Sequence, residues 1–113
     1  MDRELALEFT GGSPELLADV AQIFFEETPA RLEEIRVGLA EDDEILVAAA
    51  AHRLKGSLGT LGAKFASQLA GEMERLGRDA ELRQAGLIFP ALELETARLA
   101  LELADMVSCI RAA

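Results

Sequence analysis

Apolar residues recur three and four apart along this chain, and no run of alternating apolar and polar residues persists anywhere. Only helices can bury one face with that period. Ala, Leu and Glu dominate, and all three favour helix. The seams can be read off in order. Leu17, Val20 and Phe24 form one stripe, and Leu32, Ile35 and Leu39 form the next. On a third run Val47, Ala51, Leu54, Leu58 and Leu61 repeat at spacings of four and three. A fourth helix, from about Ala63 to Arg78, is expected to turn Phe65, Leu69, Met73 and Leu76 inward. The last, from about Pro90, carries Leu92, Thr96, Leu99, Leu103, Met106 and Ile110.

Punctuation between the runs fixes the architecture. Ser13-Pro14 and Thr28-Pro29 each offer a capping hydroxyl followed by a proline whose missing N–H costs nothing at the first helical position. Pro90 marks a first turn or a kink. The acidic cluster Glu41-Asp42-Asp43-Glu44 reads as a turn and the start of a helix, where the dipole favours carboxylates. Gly62 is a helix stop. Gly11-Gly12 closes a short N-terminal segment in which Leu5 and Phe9 are four apart. Short connections make successive helices antiparallel neighbours. The expected fold is all-α, a single domain over residues 1–113. It is an antiparallel up-and-down four-helix bundle with a short additional N-terminal helix.

Composition then excludes several functions. A chain of 113 residues buries roughly two thirds of its unfolded surface, enough for a core without metal or disulfide staples. With half its residues apolar, it is not a disordered segment. Eleven Lys plus Arg against twenty-one Asp plus Glu leave a formal charge of −10. Nucleic-acid binding needs a basic face, so that balance argues against it. Cys109 is the sole cysteine, which precludes an intramolecular disulfide and fits a reducing compartment. No apolar run approaches the roughly 20 residues of a membrane span. The opening MDRELALEF has acids where a signal peptide carries bases. A small acidic cytoplasmic protein is expected, without membrane or nucleic-acid partners.

The one histidine, His52, follows Ala51 of the inward stripe and so lies about 100° around the helix, at the boundary or on the surface. Ala48, Gly56 and Gly59 share its face. Glycine inside a helix costs about 1 kcal/mol relative to alanine, so two of them there need a reason. Either a partner approaches the imidazole over bare backbone, or a second helix packs closely. The only two lysines, Lys55 and Lys64, lie within twelve residues of His52. From Ala50 to Arg78, five cations (Arg53, Lys55, Lys64, Arg75 and Arg78) face two acids (Glu72 and Glu74), a local +3; the rest of the chain carries −13. A lysine one turn from a histidine opposes protonation of the ring, but it stabilises an anion placed there. Residue 63 is midway between 52 and 74. Reversal at Gly62-Ala63 therefore sets His52 and Glu74 level on antiparallel helices. Glu74 could then accept from Nδ1–H, fix the tautomer and free Nε2 as a nucleophile. Glu72 is a weaker candidate.

The run Ala51-His52-Arg53-Leu54-Lys55-Gly56-Ser57, followed by Leu61-Gly62-Ala63, resembles the histidine-containing phosphotransfer (HPt) domain family of multistep two-component relays. The pattern is A-H-x-L-K-G-S with G-A five residues on, and every fixed position matches. Phe24, the Leu32–Ile35–Leu39 stripe, Asp43, Leu69 and Glu74 also have counterparts in that family, whereas the last helix matches only in general character. The resemblance implies that His52 is phosphorylated at Nε2, that Lys55 contacts the phosphoryl group and that Glu74 orients the imidazole. It implies that Gly56 leaves room for the incoming partner and that Ser57 is structural. A glutamate at position 74 leaves the donor open.

The function so implied is that of a phosphorelay intermediate. It would accept a phosphoryl group from a receiver aspartate or a kinase on His52 and pass it to a receiver aspartate. The partners would be response-regulator receiver domains and a sensor histidine kinase. They would dock over Ala48, Ala49, Arg53, Gly56 and Gly59, with the local positive charge steering association. No GxxxxGK[ST] loop is present, so the chain has no apparent ATP site and no cofactor of its own. The Mg²⁺ that neutralises the phosphoryl in flight would be supplied by the receiver. The family implies a monomer. Met1 and the compact length fit a free-standing carrier, and an excised domain would read the same way. The alternative is a transfer-inactive adaptor that binds and regulates a receiver or kinase. Other chemistries fare worse. His52 and Glu74 lack a third metal ligand, and Ala49 stands where an E-x-x-H site needs its acid.

Overall fold

Three short turns of one design organise the molecule. The computed structural model describes Glu4 and residues 11–112, within which four helices follow one another: α1 Pro14–Ala40, α2 Glu44–Thr60, α3 Lys64–Arg78 and α4 Leu82–Ala112. Each connection is three residues long and has its middle residue in the left-handed region: Asp42 at φ 53°, Gly62 at 69° and Ala80 at 55°. In each, the next N–H reaches back five residues: Asp43 to the Gly38 carbonyl (2.8 Å), Ala63 to Leu58 (3.0 Å) and Glu81 to Leu76 (2.8 Å). These bonds satisfy carbonyls that the helix end leaves open. The short additional N-terminal helix expected near Leu5 and Phe9 falls outside the described residues.

Side chains cap the first two helices, whereas Ala63 before α3 offers none. The Ser13 side chain accepts from the Leu16 N–H (3.2 Å) with Pro14 in the first turn, and the Asp43 side chain accepts from Leu46 (3.1 Å). Each helix packs on the next and α1 closes on α4, so α2 and α4 are diagonal across an up-and-down bundle. Most of the stripes read from the sequence form the core, with Leu17, Phe24, Ile35, Val47, Leu54, Leu58, Met73, Leu76, Leu92 and Leu103 buried and Val20, Leu32, Leu39 and Leu69 partly buried against them; the Ile110 side chain lies outside the described residues.

Three expectations need correction. Thr28-Pro29 does not begin a helix: α1 runs through Pro29 as a single 27-residue helix. Nor does α4 begin at Pro90; it starts eight residues earlier, at Leu82. In both helices the buried stripe continues past the proline, through Ala21, Phe24, Thr28 and Ile35 in α1 and through Ala85, Phe89 and Leu92 in α4. Both prolines lie on the exposed side, where the carbonyl that each leaves unbonded can be met by water. Phe65 is 58% exposed. The inward stripe of α3 is Ala66, Ala70, Met73 and Gly77, at spacings of four, three and four, and Phe65 falls one position outside it.

Candidate functional site

His52 projects from the middle of α2, beside the fully buried Ala51, with its side chain 62% exposed. Glu74 approaches from α3 next to buried Met73, and its side chain is only 4% exposed. The α2–α3 reversal at Leu61–Ala63 brings the two level. His52 Nδ1 lies 2.8 Å from Glu74 Oε2. Glu72, the weaker candidate, instead pairs with Arg75 on its own helix.

Two glycines make this closeness possible. A Cβ on Gly77 would lie 2.9 Å from the Ala48 nitrogen, so α2 and α3 meet backbone to backbone beside the site. A Cβ on Gly71 would lie 3.3 Å from Lys55 Cδ, so the lysine stem crosses α3 at that residue on its way to Glu74. Ser67 adds a tie between the helices, its hydroxyl donating to the Lys55 carbonyl (3.2 Å).

Glu74 is hydrogen-bonded to two side chains and ion-paired with a third. Besides His52, Lys55 Nζ donates to Oε1 at 2.8 Å, and Arg78 Nη2 sits 2.6 Å from Oε2. The Lys55 bond does most to hold the Glu74 carboxyl below the usual carboxylate range; burial pushes the other way, and the His52 bond and the Arg78 charge assist Lys55. An ionised carboxylate accepts only. The hydrogen therefore resides on Nδ1, which in the neutral ring leaves the lone pair on Nε2. Among the described residues nothing is hydrogen-bonded to Nε2.

The surroundings distinguish the two explanations for the glycines. A Cβ on Gly56 would meet nothing within 4 Å, so no helix contact explains that residue; one on Gly59 would make an ordinary contact with Ser67 Oγ at 3.8 Å. Ser57 bonds within its helix, to the Arg53 carbonyl (3.3 Å). On the other side of the imidazole, Ile45, Ala48, Ala49, Arg53 and Arg78 join His52 in lining an open groove of about 460 Å³. Gly56 and Gly59 are outside that groove.

Sequence reasoning missed Gly71, Gly77 and Ile45, and counted Arg78 only toward the local positive charge. Arg78 was within reach, being four residues after Glu74 on one helix face. Ile45 is exposed and two turns before His52 on the same face. The two glycines gave no signal until α3 was seen against α2. Among the described residues no group of three or more His, Cys, Asp or Glu side chains could hold a metal ion, and no helix is long and apolar enough to cross a membrane.

The Hpt domain family model matches residues 19–113. The crystal structure of histidine-containing phosphotransfer protein B (HptB) from Pseudomonas aeruginosa PAO1 superposes with a TM-score of 0.89 at 19% sequence identity, covering 96% of this chain and 94% of that one. At that identity the likeness speaks to the fold. No curated protein matches the chain.

Proposed function

This chain belongs to the Hpt domain family, and from that premise we propose that it is a phosphorelay intermediate that carries a phosphoryl group on His52 Nε2. The observation that carries the reading is the exposed imidazole whose Nδ1 is bonded to a buried, ionised Glu74. The donor is a kinase phosphohistidine or the acyl phosphate of a receiver aspartate. From the acyl phosphate, the Nε2 lone pair forms a P–N bond while the P–O bond breaks, and its electron pair returns to the aspartate carboxylate. Nδ1–H stays on the ring, which becomes an imidazolium facing Glu74. The negative carboxylate thus opposes a positive charge that exists only once transfer has begun.

Lys55 and Arg78 serve the phosphoryl oxygens. Both are held by Glu74 in the free protein, the Lys55 side chain half-buried and that of Arg78 largely exposed. A dianion arriving at Nε2 competes with Glu74 for their N–H groups. Bare backbone at Gly56 gives a receiver close approach, and the groove at Ile45, Ala48 and Ala49 gives it apolar footing. The Mg²⁺ at the transferring phosphoryl is the receiver's own. The unobstructed Nε2 favours transfer over a transfer-inactive adaptor.

The test is phosphorylation by a phosphorylated receiver. Wild type should acquire an acid-labile, base-stable phosphoryl group. His52→Gln should acquire none while its helical circular dichroism stays unchanged. Label retained by folded His52→Gln would end the assignment.

A further inference from the structure

Helix α4 has an outward face that the bundle does not use. Leu87, Leu94 and Leu101 are 76%, 51% and 75% exposed and stand seven residues apart. That spacing sets all three on one seam, two turns between each. Arg83, Pro90, Arg98 and Asp105 complete the same face, all exposed. At 100° per residue, the seven fall within an arc of about 80°. Solvent alone does not account for three leucines in register on a chain of net charge −10. Large exposed apolar side chains aligned on one helix face point to an interaction site.

The face is self-complementary on reversal. Leu94 is its midpoint: Leu87 is seven residues before and Leu101 seven after, Arg83 eleven before and Asp105 eleven after. An antiparallel copy related by a two-fold axis at Leu94 therefore sets Leu94 on Leu94, Leu87 on Leu101, and Arg83 opposite Asp105 at both ends. Among the described residues neither Arg83 nor Asp105 has an ion-pair partner within the chain. A parallel pairing would instead oppose Arg83 to Arg83 and Asp105 to Asp105. We infer that two copies of this chain associate through an isologous, antiparallel α4–α4 seam centred on Leu94. The seam spans 22 residues from Arg83 to Asp105, about 33 Å of helix. Because α2 is diagonal to α4, the two His52 faces point away from the seam and stay free. This departs from the monomer that the family resemblance implies, and it does not depend on the proposed phosphotransfer.

Sedimentation equilibrium of the full chain over a broad concentration range should give a dimer that dissociates on dilution. Leu94→Glu, which opposes two carboxylates on the axis, should weaken it about 100-fold or more with helical circular dichroism unchanged. A monomer at every concentration overturns the inference, as does a dimer indifferent to Leu94→Glu. Register is read by crosslinking under diamide in a Cys109→Ser background. Leu94→Cys alone should form a disulfide-linked dimer. Leu87→Cys alone should not, whereas Leu87→Cys mixed with Leu101→Cys should link across the pair. Efficient self-linking of Leu87→Cys would overturn the antiparallel arrangement.

Discussion

A carboxylate shared by two cations and an imidazole loses its attraction for both cations when it is protonated, and Glu74 is such a group. Its pKa is held below the ordinary value of 4.5, first by the Lys55 bond. The folded state therefore binds fewer protons here than the unfolded chain does. The resulting stabilisation is fully present above about pH 4.5 and is lost as pH falls through the lowered value. Urea unfolding between neutral pH and about pH 3 should show a shallower acid loss of stability for Glu74→Gln than for wild type. Lys55→Ala removes an ammonium near the phosphoryl seat without touching the core. It should slow phosphotransfer roughly 10-fold in a domain that still folds, though with a lower thermal midpoint because the buried Glu74 loses its chief partner; an unaltered rate would take Lys55 out of the mechanism. The His52–Glu74 pair was legible beforehand because a turn at Gly62-Ala63 fixes which residues face each other. The engagement of Lys55 by that same carboxylate was not, because its path depends on the missing side chain at Gly71.

Between α2 and α3 the contact is closest at Gly77, against the Ala48 backbone. Gly77→Ala gains helix propensity but drives a methyl into atoms that cannot yield without separating the helices. It should destabilise the protein by about 1–3 kcal/mol, and the NMR signal of the hydrogen-bonded His52 Nδ1–H should move as Glu74 is drawn away. A stabilised variant with an unmoved signal would show that the close approach is incidental. At this scale the sequence was readable where one residue decides the outcome, as at Ser13, Asp43 and Gly62. It misled where a local signal met a longer pattern. Thr28-Pro29 looks like a helix start, yet burying Thr28 and Ile35 on the stripe that begins at Leu17 outweighs one lost hydrogen bond on the solvent side. Phe65 looked inward because spacings of four from 65 to 69 to 73 imitate a seam, and the smaller Ala66 and Ala70 took that place.

The whole molecule measures 47 × 19 × 18 Å, and its helix order was within reach of the sequence because three-residue turns leave each helix only one neighbour to pack against next. What lay beyond reach was which outer face stays unused, since Leu87, Leu94 and Leu101 share with core residues the period that marks burial. A rod this narrow, with its sole imidazole on one flank, sets a rule for traffic. Under the proposed function, donor and acceptor need the same few square nanometres, so no copy of the imidazole can serve both at once. Adding unphosphorylated acceptor to a fixed amount of phosphorylated donor should first speed and then throttle the passage of label, as acceptor occupies carriers that have nothing yet to deliver; flux that only rises to a plateau would mean that the footprints are separate. Waiting time at a single doorway, more than the speed of bond exchange, then sets the pace of the relay.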